Sequence, residues 1–155
     1  MRGGHPPSLF QIDLYNALMN EALSRQPIGT CAILINDRQE ILLGKRKNSY
    51  LAGYYGLPSG TLEEGESIEL AIEREVMEET GLKSLTFHYL GSIHESQATR
   101  DFIHHAFWAS VENQTPKLSE PEKCEGWEWC NIDSDFENVL PGHRTAIKIF
   151  RQHKR

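Results

Sequence analysis

The sequence predicts an α/β (α+β) chain, folded as an α/β/α sandwich on a mixed sheet with an additional N-terminal helix. Three observations carry that reading. The β-type runs come in neighbouring pairs with single helices interspersed, rather than as regular βαβ units. Helix signals stand in the middle of the chain and again at its end. Finally, 155 residues with 39% apolar content suffice for one sizeable core, and no internal repeat, low-complexity tract or interdomain linker divides it.

Taken in order, residues 1–7 (MRGGHPP) read as a frayed leader, rich in Gly and Pro. Residues 8–25 read as a helix, so 1–25 form an appendage to a domain spanning 26–155. Its stripe of Leu9, Phe10, Leu14, Leu18 and Leu23 packs either on the domain or on a second subunit. The β-rich run IGTCAILIN, a turn at Asp37-Arg38-Gln39 and the return strand EILLGKR make a hairpin that ends at Arg46. A Gly-rich approach over 48–59 contains a short strand around Tyr54 to Leu57. A helix of about fifteen residues then starts near Glu66 and stops at Gly81, where glycine adopts the left-handed cap other residues resist. TFHYLGSIHE and DFIHHAFWASVE are strands joined by SQATR, GWEWCNI is a further strand, and the last helix begins about Gly142.

The chemistry concentrates on the middle helix. Glu75, Glu78 and Glu79 stand at i, i+3, i+4, which puts three carboxylates on one side of it. Ile68 and Ile72 point roughly the same way, so a core-facing sector ends in a cluster of like charge. A hard divalent cation resolves the repulsion: Mg²⁺ takes one or two carboxylates, keeps several waters and completes its shell with phosphate oxygens. A solvated acidic face is the ordinary alternative, and the flanking residues decide against it.

The run GTLEEGESIELAIEREVMEETGL fits G-x5-E-x7-R-E-U-x-E-E-x-G-U, with U aliphatic, at Gly60, Glu66, Arg74, Glu75, Val76, Glu78, Glu79, Gly81 and Leu82. At average residue usage the chance of such a match at a given start is on the order of 10⁻⁸. The run resembles the Nudix box, the signature of hydrolases that cleave nucleoside diphosphates linked to another moiety. LLGKRK at 42–47 and EPEKCEGWEW at 120–129 are similar to the MutT-like branch, which acts on nucleoside triphosphates.

The resemblance implies the sandwich fold, Mg²⁺ (or Mn²⁺) as cofactor and a set of site residues. Glu75 and Glu79 would be metal ligands, Glu78 a ligand or proton acceptor, and the Gly60 carbonyl a further ligand. Glu66 and Arg74 would fix the loop onto the helix, and Arg46 would hold substrate phosphates. One departure precedes the box. MutT-like chains read Pro-Gly-Gly where this one has Pro58-Ser59-Gly60, which is expected to alter the loop without abolishing activity.

Other residues stay open. Glu122 and Glu125 lie where relatives supply one more acidic group, and neither is assigned. Trp127 and Trp129 share a strand face, as core or as a platform for a base. The segment PGHR at 141–144 resembles one near which relatives touch the base. His94, His104 and His105 read as structural or surface groups, because oxygen-rich Mg²⁺ sites rarely use imidazole.

The net charge of −6 argues against nucleic-acid polymers as partners, and no apolar stretch suits a membrane. Cys31, Cys124 and Cys130, odd in number and without metal-site spacing, point to a reducing cytoplasm. The expected partner is a small nucleotide, with a homodimer left open. The expected reaction is hydrolysis of a nucleoside triphosphate, normal or oxidised, to monophosphate and pyrophosphate. Two alternatives stand beside it: hydrolysis of another diphosphate (ADP-ribose, a dinucleoside polyphosphate or a nucleotide sugar), and a nucleotide-sensing module without turnover.

Overall fold

The computed structural model describes residues 11–14, 16–18, 27–96 and 101–154. Its elements are β1 (Ile28–Ile35), β2 (Glu40–Arg46), β3 (Tyr55–Gly56), β4 (Ser59–Thr61), α1 (Ile68–Thr80), β5 (His88–Ser96), β6 (Asp101–Ser110), β7 (Cys124–Asn131) and α2 (Pro141–His153). The sheet runs β3-β2-β1-β6-β5, with β4 added to β1 and β7 to β2. β1 and β6 are parallel and the other pairings antiparallel, so the sheet is mixed as expected.

Period-2 alternation along β1 explains the three layers. Cys31, Ile33 and Ile35 join a core with Ile147 and Phe150 of α2. Ala32 and Leu34 join a second core on the other face, with Ile72 and Val76 of α1. A strand covered on both sides must be apolar throughout, which is why IGTCAILI reads as a continuous run rather than an alternating one. Trp127 and Trp129 are partly buried and pack against the α1-side core, and Trp127 also lines the cavity at the end of α1.

One detail differs from expectation. α1 begins at Ile68, two residues late, because the extended Ser67 caps it: its hydroxyl accepts the Leu70 N–H at 3.2 Å. Glu66 therefore belongs to the loop and is free to turn toward Arg74. The stop is where it was expected, with Gly81 at φ 72° and its N–H bonded to the Met77 carbonyl.

At the N-terminus residues 11–14 and 16–18 are helical. Leu14 and Leu18 are 51% and 56% exposed, so this part of the apolar stripe is not buried on the domain. Leu9, Phe10, Leu23, the leader 1–7 and residues 97–100 of the SQATR link lie outside the described residues.

Candidate active site

The short strand β4 is the hinge of the site. It pairs with β1 as Thr30↔Gly60 and Cys31↔Ser59, which sets Gly60 opposite the last turns of α1. A Cβ on Gly60 would fall on the Glu75 carboxylate. Gly60 does not have positive φ, so glycine is needed there for close approach and not for backbone freedom. Ser59 has no positive φ either and sits in regular strand pairing, which is why the replaced glycine costs the loop nothing. Its N–H faces Glu79 Oε2 at 3.4 Å.

Arg74 organises the carboxylates. Its Nε donates to Glu66 Oε2 at 2.7 Å and its Nη2 to Glu66 Oε1 at 3.0 Å, a two-pronged pair that ties the loop to the helix. Nη2 also reaches the Thr61 carbonyl at 3.2 Å, while Nη1 holds Glu75 at 2.8 Å and Glu78 at 3.2 Å. The guanidinium thus relieves part of the like-charge repulsion that the i, i+3, i+4 spacing creates. Hydrogen bonding to Arg74 lowers the Glu66 carboxyl. Burial raises Glu75 against the pull of Arg74. Burial also pushes Glu79 up to about 8, with the Glu75 charge beside it adding to the rise. Trp127 Nε1–H donates to the Glu79 carbonyl at 3.1 Å and pins that last turn.

A cavity of about 550 Å³ opens between β4, the end of α1 and the segment before β7. Glu75, Glu79, Gly60 and Arg46 line it, as do Glu120 and Lys123. Glu78 does not; it is 47% exposed and turned to Arg74. Arg46 Nε donates to the Tyr50 carbonyl at 3.0 Å, which leaves its amino groups for the cavity. Glu122 and Glu125 stay outside, Glu125 paired with Lys45 at 3.4 Å. The acidic residue that this segment supplies is Glu120, held by Lys123 at 3.0 Å, and sequence reasoning missed it. The i, i+3 Glu-Lys spacing was the available signal.

Among the described residues no three Asp, Glu, His or Cys side chains converge tightly enough to enclose a cation. The donor set nevertheless fits one that relies on water and phosphate for much of its shell. Glu75 rests against Gly60, and the buried Thr30 hydroxyl, cross-strand from Gly60, has no partner among the described residues.

A second chamber of about 260 Å³ lies behind β4, where Glu95, His104 and His143 join Arg46 and Gly60 in the lining. His143, from the PGHR segment, is 2% exposed, and its Nδ1 accepts the Leu57 N–H at 3.0 Å. Burial takes it down to about 3, so the ring is neutral. His94 is a surface group paired with Asp101 at 3.4 Å, and His105 meets the Tyr89 hydroxyl at 2.9 Å. Cys31 is buried, with its thiol pushed up to about 12 by burial, and all three cysteines are free.

Known proteins resemble the chain in sequence and fold. The oxidized purine nucleoside triphosphate hydrolase of Mus musculus is 30% identical over 126 residues, covering 79% of each chain. The NAD-capped RNA hydrolase NudC of Haemophilus influenzae is 28% identical over 150 residues, 94% of this chain, which spans 56% of that relative's length. A MutT NUDIX hydrolase from Burkholderia pseudomallei superposes with a TM-score of 0.71 at 28% identity, over 80% of this chain and 97% of that one. Members of the family generally use divalent cations and act on small nucleotide substrates. The NUDIX domain model matches residues 25–151, and with these carboxylates gathered on its helix the chain belongs to the Nudix family of pyrophosphohydrolases.

Proposed function

We propose that residues 26–155 form a Mg²⁺-dependent hydrolase, in a reducing cytoplasm, that cuts a nucleoside triphosphate, normal or oxidised, into the monophosphate and pyrophosphate. One observation carries the reading: a single cavity sets Glu75, Glu79 and the Gly60 strand against Arg46 and Lys123. Carboxylates on one wall suit a cation, and cationic side chains on the other suit phosphate oxygens. The name of the Mus musculus relative supports the triphosphate substrate.

Phosphoanhydrides resist hydrolysis because their oxygens repel a nucleophile. A bound Mg²⁺ supplies charge neutralisation and a more acidic water. Glu75, Glu79 and the Gly60 carbonyl would hold it, with Glu78 as a ligand or as the proton acceptor once it leaves Arg74. Arg46 orients the phosphate chain. Glu66 and Arg74 keep the loop and helix in register. Retention of every box carboxylate argues against a module without turnover.

The test is a nucleotide panel with Mg²⁺ or Mn²⁺, reading phosphate and pyrophosphate separately. Pyrophosphate should appear without orthophosphate. In ¹⁸O-labelled water the label should enter pyrophosphate, since attack at the β phosphorus breaks its bond to the α–β bridging oxygen, which leaves with the monophosphate. Orthophosphate and nucleoside diphosphate as main products would refute the reading. Inertness toward triphosphates with brisk cleavage of ADP-ribose would favour the other diphosphate substrates.

A further inference from the structure

The second chamber contains a carboxylate that the catalytic reading does not use. Glu95 of β5 and His104 of β6 each keep only 12% of their side-chain surface exposed, and His104 Nε2 lies 3.0 Å from Glu95 Oε2. Gly142, in the first turn of α2, makes room for the acid, since a Cβ there would fall on Glu95 Oε2. That helix start has no side-chain cap, so the carboxylate rests at its positive end. Burial lowers the His104 pKa, leaving the ring neutral with Nε2–H donating to Glu95. Oε1 of Glu95 then has no hydrogen-bond partner among the described residues, and His104 Nδ1 is a buried nitrogen without one among them.

His143 supplies the opposite group. Because its Nδ1 accepts the Leu57 N–H, its proton sits on Nε2, which is a donor with no partner among the described residues. The chamber therefore presents an uncommitted carboxylate acceptor and an uncommitted imidazole donor, beside the arginine it shares with the phosphate cavity. Its volume suits one ring system.

Of the common bases, only guanine places two N–H donors (N1–H and the 2-amino group) side by side, with the O6 acceptor next to them. Adenine and cytosine place a ring-nitrogen acceptor beside the amino donor, and uracil flanks its one N–H with two carbonyls, so each turns a lone pair toward the carboxylate. We propose that this chamber takes the base of the bound nucleotide and that Glu95, positioned by His104, selects a guanine edge. The proposal rests on the nucleotide reading of the first cavity and adds the residue that chooses the base.

Calorimetric binding of GMP, IMP and AMP to the full chain, without metal, tests it independently of turnover. GMP should bind tightest. IMP, which lacks only the 2-amino group, should bind about tenfold or more weaker, and AMP weaker still. Glu95→Gln should weaken GMP more than IMP, which presents only N1–H to the carboxylate, and so narrow the gap between them. Equal weakening of all three ligands with a lower melting temperature would mean that Glu95 only caps α2, and would overturn the proposal. So would GMP binding no tighter than AMP, or no binding of any of them at millimolar concentration. Should Glu95→Gln fail to fold, the wild-type ratio of GMP to IMP decides. Selective GMP binding without release of pyrophosphate from GTP would instead sink the reaction while leaving the selection intact.

Discussion

The two sides of β4 handle buried polarity in opposite ways. On the α1 side, acids are gathered around cations: Arg74 hydrogen-bonds Glu66, Glu75 and Glu78, Lys123 holds Glu120 at the cavity wall, and Glu79 lines the cavity beside them with its carboxyl raised by burial. On the α2 side, the imidazoles are held neutral, His143 by burial and by the backbone N–H it accepts. Arg46 lines both chambers. The difference suits the ligands proposed for the two sides. A cation and a polyphosphate call for charge within reach, whereas a flat base calls for directional donors and acceptors that do not move.

The sharpest way to break this division is to remove one charge on the α1 side without changing its shape. Glu79→Gln should keep the fold and lose at least about 10²-fold in kcat, since an amide is a poorer metal ligand of nearly equal size. Mg²⁺ should raise the melting temperature of the wild type and do so less in the variant. Near-wild-type turnover at saturating Mg²⁺ would remove Glu79 from the metal site.

Gly60→Ala probes the same side through space alone. The backbone there is ordinary strand, so the methyl costs little in φ, but it lands on the Glu75 carboxylate and must turn that ligand aside. Turnover should fall by about tenfold or more, with a weaker Mg²⁺-induced shift in melting temperature. Unchanged kinetics would show that Glu75 is not needed where it lies.

Arg46→Ala tests the group that joins the two sides. kcat/KM should fall by about tenfold while the melting temperature holds, because a phosphate contact acts on binding rather than packing. If the best substrate is handled as before, Arg46 is a strand-end charge and the chambers are not linked through it.

How much of this was visible in the chain alone also divides along β4. The carboxylate side was legible because Gly60 to Leu82 is contiguous, so helical pitch alone brings Glu75, Glu78 and Glu79 to one side. Even there, pitch could not tell that Glu78 turns toward Arg74 rather than into the cavity, which depends on where the guanidinium lies. Glu120 sits in a loop whose register no periodicity constrains, so its neighbours Glu122 and Glu125 looked equally placed. Glu95, His104 and His143 come from β5, β6 and α2 and share no spacing. They meet only because the register Glu95↔Phe102 sets Glu95 diagonally across from His104, and because Gly142 lets α2 close on them.

The smallest expected effect is on stability, and it isolates the α2 side. His143 titrates at about 3 in the folded chain against an ordinary value of 6.5. Between those values the unfolded chain holds more protons than the native one, so stability is complete above 6.5 and declines as the pH falls. The slope contributed by this one ring is at most about 1.4 kcal/mol per pH unit. Glu79, with a raised carboxyl, contributes in the opposite sense, losing stability as the pH rises through about 8 in the absence of a cation. Total stability against pH therefore mixes the two sides, and only a difference separates them. His143→Gln removes the titrating ring and leaves Glu79 in place, so urea midpoints at pH 7.5, 5.5 and 4.5 should fall less steeply in the variant than in the wild type. Parallel declines would mean that His143 is not held neutral, and would take away the fixed Nε2–H donor on which the second chamber depends.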